Sequence, residues 1–143
     1  MGRVRFIDGV FAFPCPRMLG EGRFGQMNTR TKGVEGEELA AEFLEREGYQ
    51  IIERNYRFDR GEIDLVARDG NELVFIEVKA RHSGSFGTPE EAVTLSKELQ
   101  MKKVAEGYLG EHRLEEQACR FDVVAITFER GKPSIRLIRN AFI

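Results

Sequence analysis

Cysteine is scarce: Cys15 and Cys119 are too few for a disulfide framework or a zinc site. The two histidines, His82 and His112, stand alone and lack metal-ligand spacing. No apolar run approaches the roughly 20 residues that span a bilayer, which excludes a transmembrane helix. Val10–Phe13 is too short for the apolar region of a secretory signal. Neither G-x-x-x-x-G-K nor G-x-G-x-x-G occurs, so no glycine-rich loop cradles a nucleotide. Cys119 precedes an apolar strand with no histidine nearby in sequence, which disfavours a thiol nucleophile. A reducing cytoplasm is the simplest compartment.

What is present is a soluble globular composition. Of 143 residues, 41% are hydrophobic and 32% charged, enough for one domain with a full core. The formal charge of −2 is unevenly spread. Residues 1–32 carry six basic and two acidic side chains (+4), leaving 16 basic and 22 acidic (−6) for the rest. An acidic body argues against a general polyanion sponge but leaves room for a local basic edge.

Residues 1–27 read as an appendage. Pro14, Pro16, Gly20, Gly22 and Gly25 break any helix or central strand there. The segment is either a flexible basic arm or lies before a true start at Met27. Residues 28–143 form the functional domain. Within it, 34–47 fit a helix closed by Gly48, with Leu39, Ala40, Phe43 and Leu44 as its buried stripe. Residues 50–57, 61–68 and 73–80 read as strands, the last two joined through Asp69-Gly70-Asn71-Glu72. Gly84, Ser85 and Gly87 make a permissive loop, and Thr88-Pro89-Glu90-Glu91 carries helix-start signals. Ser96 is the expected cap of a second segment running to Leu109. Residues 120–128 are apolar on both faces, as in a strand buried inside a sheet, and 134–139 supply a last strand. The order implies a small mixed α/β domain: a three-strand meander, then a fourth strand within the sheet.

Strand alternation places Glu62, Asp64 and Val66 on one face and Ile63, Leu65 and Ala67 on the other. Phe75, Glu77 and Lys79 likewise share a face. With 69–72 as the loop, Arg68 pairs with Leu73 and Asp64 lies opposite Glu77; a two-residue loop at 69–70 makes them diagonal neighbours instead. A three-residue loop would separate them. Two adjacent carboxylates repel each other and resist desolvation, a cost that a divalent cation removes. Oxygen-only donors suit Mg²⁺. Lys79 adds a positive charge able to orient water or stabilise a phosphate in a transition state. The bland alternative is a cross-strand salt bridge on a solvated face. Glu37 rides the edge of the first helix's apolar stripe, whereas Glu38, Glu42 and Glu45 face water. It is either a partner for the site or a rim residue.

Together these residues resemble the PD-(D/E)XK nuclease superfamily. Lys32-Gly33-x-x-Gly36-Glu37, Gly48-Tyr49, Gly61-Glu62-Ile63-Asp64-Leu65 and Phe75-Ile76-Glu77-Val78-Lys79-x-Arg81 are similar to the YraN-like family. Phe86-Gly87, Lys97, Arg120-Phe121-Asp122 and Asn140-Ala141-Phe142 continue the pattern. The first blocks also resemble archaeal Holliday junction resolvases. The resemblance implies a restriction-endonuclease-like mixed sheet with an αβββαβ core flanked by helices. It implies Asp64, Glu77 and the Val78 carbonyl as metal ligands, Lys79 serving the nucleophilic water, and Glu37 as an auxiliary metal or water ligand. Ile63 stands where the superfamily often has proline.

The expected activity is hydrolysis of DNA phosphodiester bonds with Mg²⁺ or Mn²⁺, on branched or junction DNA. A non-catalytic nucleic-acid-binding or protein-interaction module of the same fold is the alternative. Arg81, His82, Ser83 and Ser85 with Lys97, Lys102 and Lys103 form a candidate basic margin for phosphates. Arg81 and Lys97 match the family pattern, and His82 is a candidate DNA contact or general base. Arg120 and Asp122 are expected to pair structurally. Cutting two strands suggests a homodimer.

Overall fold

A computed structural model describes residues 29–82 and 93–142, with side chains from residue 34 onward. The 1–27 appendage, the Gly84–Gly87 loop and the helix-start signals at Thr88–Glu91 lie outside the described residues. The element order is α1 (Thr29–Arg46), β1 (Gln50–Phe58), β2 (Gly61–Asp69), β3 (Glu72–His82), α2 (Leu95–Glu111), β4 (Cys119–Glu129) and β5 (Lys132–Phe142). The five strands form one mixed sheet in chain order. β1, β2 and β3 make an antiparallel meander, β4 runs parallel to β3, and β5 returns antiparallel beside β4. This is the expected restriction-endonuclease-like mixed α/β architecture.

Each helix covers one face. α1 buries Ala40, Ala41 and Leu44 against Leu65, Ala67, Val74, Ile76, Val124 and Ile126. It stops at Gly48 (φ +93°), where the Tyr49 amide donates to the Leu44 carbonyl at 2.9 Å. α2 buries Met101, Val104, Ala105 and Tyr108 against Ile63, Val66, Leu73 and Phe75 on the other face. Full burial of a side chain such as Leu44 or Phe75 contributes about 2 kcal/mol. β4 is buried on both faces, as its unbroken apolar run predicted.

The cap of α2 is Thr94, not Ser96: its hydroxyl accepts from the Lys97 amide at 3.2 Å. The β2–β3 turn is Gly70-Asn71, because Asp69 pairs with Glu72. The register nonetheless has Arg68 opposite Leu73, which the four-residue loop predicted.

Face alternation along β2 is overturned at Asp64. Ile63 packs beneath α2 with Val66, while Leu65 and Ala67 pack beneath α1. β1 reverses at the same level: Arg54 reaches Glu38 of α1, yet Tyr56 bonds Glu111 of α2. Between them Asn55 adopts φ +52°, a left-handed conformation that asparagine tolerates better than branched residues. Glu62 therefore does not share the face of Val66 and instead pairs with Arg57 at 3.4 Å.

At the end of the sheet where β4 begins, Asp122 is fully buried and accepts from Tyr49 Oη (3.0 Å), Arg120 Nε (3.0 Å) and the Asn140 amide (2.9 Å). Arg120 also bonds Asp69 at 2.6 Å. Burial, followed by the charge of Asp122, pushes the Tyr49 phenol up to about 12. Arg120 and Asp122 thus pair structurally, as expected.

Candidate functional site

The β2–β3 ladder holds from Asp69↔Glu72 to Leu65↔Ile76. At the next step Asp64 turns its carboxylate onto the neighbouring strand, and Oδ2 accepts from the Val78 amide at 2.8 Å. A side chain thereby satisfies a backbone donor at the end of the paired region. Glu77, on the face covered by α2, is only 4% exposed.

Glu77 divides its two oxygens. Oε1 meets Lys79 Nζ at 3.2 Å and Lys97 Nζ at 3.6 Å. Oε2 is buried with no hydrogen-bond partner among the described residues. An unsatisfied buried carboxylate oxygen is costly unless a cation or proton reaches it.

The electrostatics of Asp64 reflect the same crowding. Burial, then the charge of Glu77, raises its pKa from 3.8 to about 7; the Val78 hydrogen bond opposes the rise. Glu37 adds a smaller push. Near neutral pH Asp64 is therefore only partly ionised.

Glu37 reaches this region because α1 approaches β3 closely. A Cβ at Gly36 would stand 3.2 Å from the Ala80 Cβ, so the middle of the helix sits against the strand carrying Glu77 and Lys79. Glu37 is half-buried, and its charge acts on Asp64. It does not complete a ligand triad: among the described residues no three His, Cys, Asp or Glu side chains converge on a metal position.

Asp64, Glu77 and Lys79 thus come together, with Glu37 at electrostatic range. Lys97 is drawn inward from the expected outer margin onto Glu77, because the Thr94 cap places the first turn of α2 over this carboxylate. His82 lies on the opposite face from Glu77 by alternation, its ring centroid 5.9 Å from that of Phe128. Arg81 shares the face of Glu77 and Lys79. Lys103 pairs with Asp59 at 2.6 Å, and Lys102 lies over the Phe142 ring. Lys97's contact with Glu77 was missed in the sequence because it depends on a crossover of more than a dozen residues.

The donors at this site are all oxygens: two carboxylates, one with an unpartnered buried atom, beside the Val78 peptide. Such a set fits a hard divalent cation of the Mg²⁺ type. The lysine ammonium groups supply the counter-charge otherwise.

Comparison with known proteins places relatives over the same region. The profile described as "Uncharacterised protein family UPF0102" matches residues 36–126. A "UPF0102 protein" from Geobacter metallireducens is 47% identical over 116 residues, covering 81% of this chain and 95% of the relative. One from Symbiobacterium thermophilum is 50% identical over 115 residues, covering 80% and 98%. Among solved structures, Pyrococcus furiosus SfsA in complex with Ca²⁺ aligns with 78% of this chain and 62% of that one. At 15% identity and a TM-score of 0.31, that likeness is too distant to carry an argument. Among the described residues, no helix is long and apolar enough to cross a membrane.

Proposed function

The chain belongs to the uncharacterised protein family UPF0102, the YraN-like family of the PD-(D/E)XK superfamily, and we propose that it is a metal-dependent endonuclease hydrolysing DNA phosphodiester bonds. One observation carries the reading: the buried Glu77 Oε2, without a hydrogen-bond partner among the described residues, beside an Asp64 carboxyl that burial and then the charge of Glu77 make hard to ionise.

Asp64 and Glu77, with the Val78 carbonyl, would hold Mg²⁺ or Mn²⁺, which when bound neutralises phosphate charge and acidifies water. The chain's own groups do the rest. The Val78 amide fixes the Asp64 carboxylate in one orientation. Glu77 anchors the Lys79 ammonium, keeping a cation where negative charge builds on the phosphate. Lys79 also orients the attacking water: the water oxygen bonds to phosphorus and gives up one proton, one P–O ester bond breaks, and the departing oxygen takes up one proton, so that a single water is consumed. Glu37, whose charge acts on Asp64, would be an auxiliary ligand to the metal or its water.

The acidic balance of the body favours a substrate chosen by geometry, so branched or junction DNA is the proposed form. Cutting two strands of such a substrate calls for two sites, hence a homodimer.

The test is a cleavage panel of four-way, fork, flap, duplex and single-stranded DNA with Mg²⁺ or Mn²⁺. Wild type should cut at least one branched form, while Asp64→Asn, Glu77→Gln and Lys79→Ala should each lose that cutting by a factor of 100 or more, on the order seen for transition-state groups. No cutting of any form, or cutting that survives Glu77→Gln, overturns the reading.

A further inference from the structure

Two ammonium groups share one oxygen of Glu77, and they are held in different ways. Lys79 Nζ meets Oε1 at 3.2 Å, and Lys97 Nζ meets the same atom at 3.6 Å. Lys79 stands two residues along the strand of Glu77, so β3 itself sets that contact. Lys97 arrives from the first turn of α2, at the longer distance, and its side chain is 26% exposed. Its backbone is fixed by the Thr94 cap, while its ammonium is free to turn about the side-chain bonds.

Lys97 also has a second acceptor. Its Nζ lies 3.5 Å from Gln100 Oε1, one helical turn further along α2. Gln100 is held in place from its other end. Its Nε2 donates to the Arg60 carbonyl at 3.4 Å, which turns Oε1 towards the lysine. Gly61 permits that approach: a Cβ there would stand 3.1 Å from Gln100 Cγ and would collide with Val104. The Lys97 ammonium therefore sits between a charged carboxylate and a neutral amide oxygen, and passing from one to the other needs only side-chain rotation.

Charge counting decides what a metal does to this arrangement. When both acids are ionised, the two ammonium groups balance Asp64 and Glu77. A divalent cation on the acids would leave the cluster with two positive charges in excess. Like charges repel strongly beside a carboxylate that is only 4% exposed. Releasing one ammonium lowers that cost, and Lys97 has the longer contact and an acceptor to receive it. We propose that Lys97 is a tethered counter-ion of the metal site, which neutralises Glu77 until a divalent cation binds and then moves onto Gln100. It is a positioning residue that sets how tightly the acids hold the ion. The proposal rests on the reading of Asp64 and Glu77 as a metal site, and its test does not depend on DNA cleavage.

The measurement is Mn²⁺ binding to the full chain at pH 8 without DNA, read from the electron paramagnetic resonance of the free ion. Lys97→Met keeps the apolar stem and removes the ammonium, and should tighten binding about fivefold, the usual contribution of one partly exposed ion pair. Gln100→Met removes the second acceptor and should weaken binding about threefold. Added to Lys97→Met, it should have no effect. Lys103→Met takes the same charge from the same helix, at a lysine paired with Asp59, and should leave binding unchanged. Melting gives a second readout. In EDTA Lys97→Met should melt below wild type, and saturating Mg²⁺ should close the gap; a lysine that stayed on Glu77 would keep it open. Unchanged or weaker Mn²⁺ binding in Lys97→Met overturns the proposal, as does a melting gap that persists in Mg²⁺. Mn²⁺ binding that is absent, or that survives Glu77→Ala, overturns it too. If Lys97→Met tightens a Glu77-dependent ion and wild type cuts no DNA, the proposal stands and the nuclease reading falls. If wild type cuts DNA through Glu77 and Lys97→Met binds Mn²⁺ as wild type does, the reverse holds.

Discussion

Asn55 stands across the β1–β2 pair from Asp64, bracketed by Arg54↔Leu65 and Tyr56↔Ile63, and both strands exchange faces at that level. The left-handed turn at Asn55 lets Tyr56 and Ile63 both lie beneath α2, leaving Asp64 at the end of the β2–β3 ladder with its carboxylate on the Val78 amide. A backbone irregularity on an edge strand thus positions the proposed metal-binding acid.

Asn55→Val should therefore cost about 1–2 kcal/mol in urea unfolding, because a branched side chain resists φ near +52°. Asn55→Gly should fall within a few tenths of wild type. Equal losses for both would show that the side chain of Asn55, rather than its conformation, matters.

The raised pKa of Asp64 has a definite sign in stability. Its folded value of about 7 lies above the ordinary 3.8, so its contribution favours folding fully below about pH 4. That contribution is lost as pH rises through 7. Asp64→Asn keeps an acceptor for the Val78 amide and removes the buried charge. In EDTA the variant should melt about 3 °C or more above wild type at pH 8, the two converging near pH 4. A variant that melts below wild type at pH 8 would contradict strain between Asp64 and Glu77.

Magnesium should reverse that strain. A cation binding only the folded chain adds about 2.7 kcal/mol at a hundredfold excess over its Kd. The melting temperature of wild type should rise with Mg²⁺, and Asp64→Ala and Glu77→Ala should each abolish the rise. Because binding needs both acids ionised, the rise should be larger at pH 8 than at pH 6. A response that survives both substitutions would place the ion elsewhere.

The Arg120–Asp122 network should matter for stability alone. Asp122→Ala leaves Arg120, the Tyr49 hydroxyl and the Asn140 amide without their buried acceptor, a loss of about 3–5 kcal/mol. Tyr49→Phe removes one hydrogen bond and should cost about 1 kcal/mol. Calorimetry checks both, and the magnesium response of Tyr49→Phe should match wild type.

Much of this arrangement was legible in residue order. The Gly48 stop, the double-sided burial of β4 and the shared face of Glu77 and Lys79 follow from local periods of 3.6 and 2. The turn left two registers open, and strand pairing chose the one with Arg68 opposite Leu73. Alternation failed at Ile63 because it assumes an unbroken strand, and the break arises from Asn55 on the neighbouring chain segment. The cap of α2 fell at Thr94 rather than Ser96 because both are able caps, and packing of the helix on β2 chooses between them.

The amino-acid order alone determined which side chains could take part: two acids and a lysine on successive strands, and a glutamate at the margin of a helix stripe. Only the folded chain decided how close they come and who else joins them. Lys97 reaches Glu77 through a long crossover, which no local period encodes. The titration of Asp64 belongs to the same class, since burial and a neighbour thirteen residues along the chain, across a hairpin, set it.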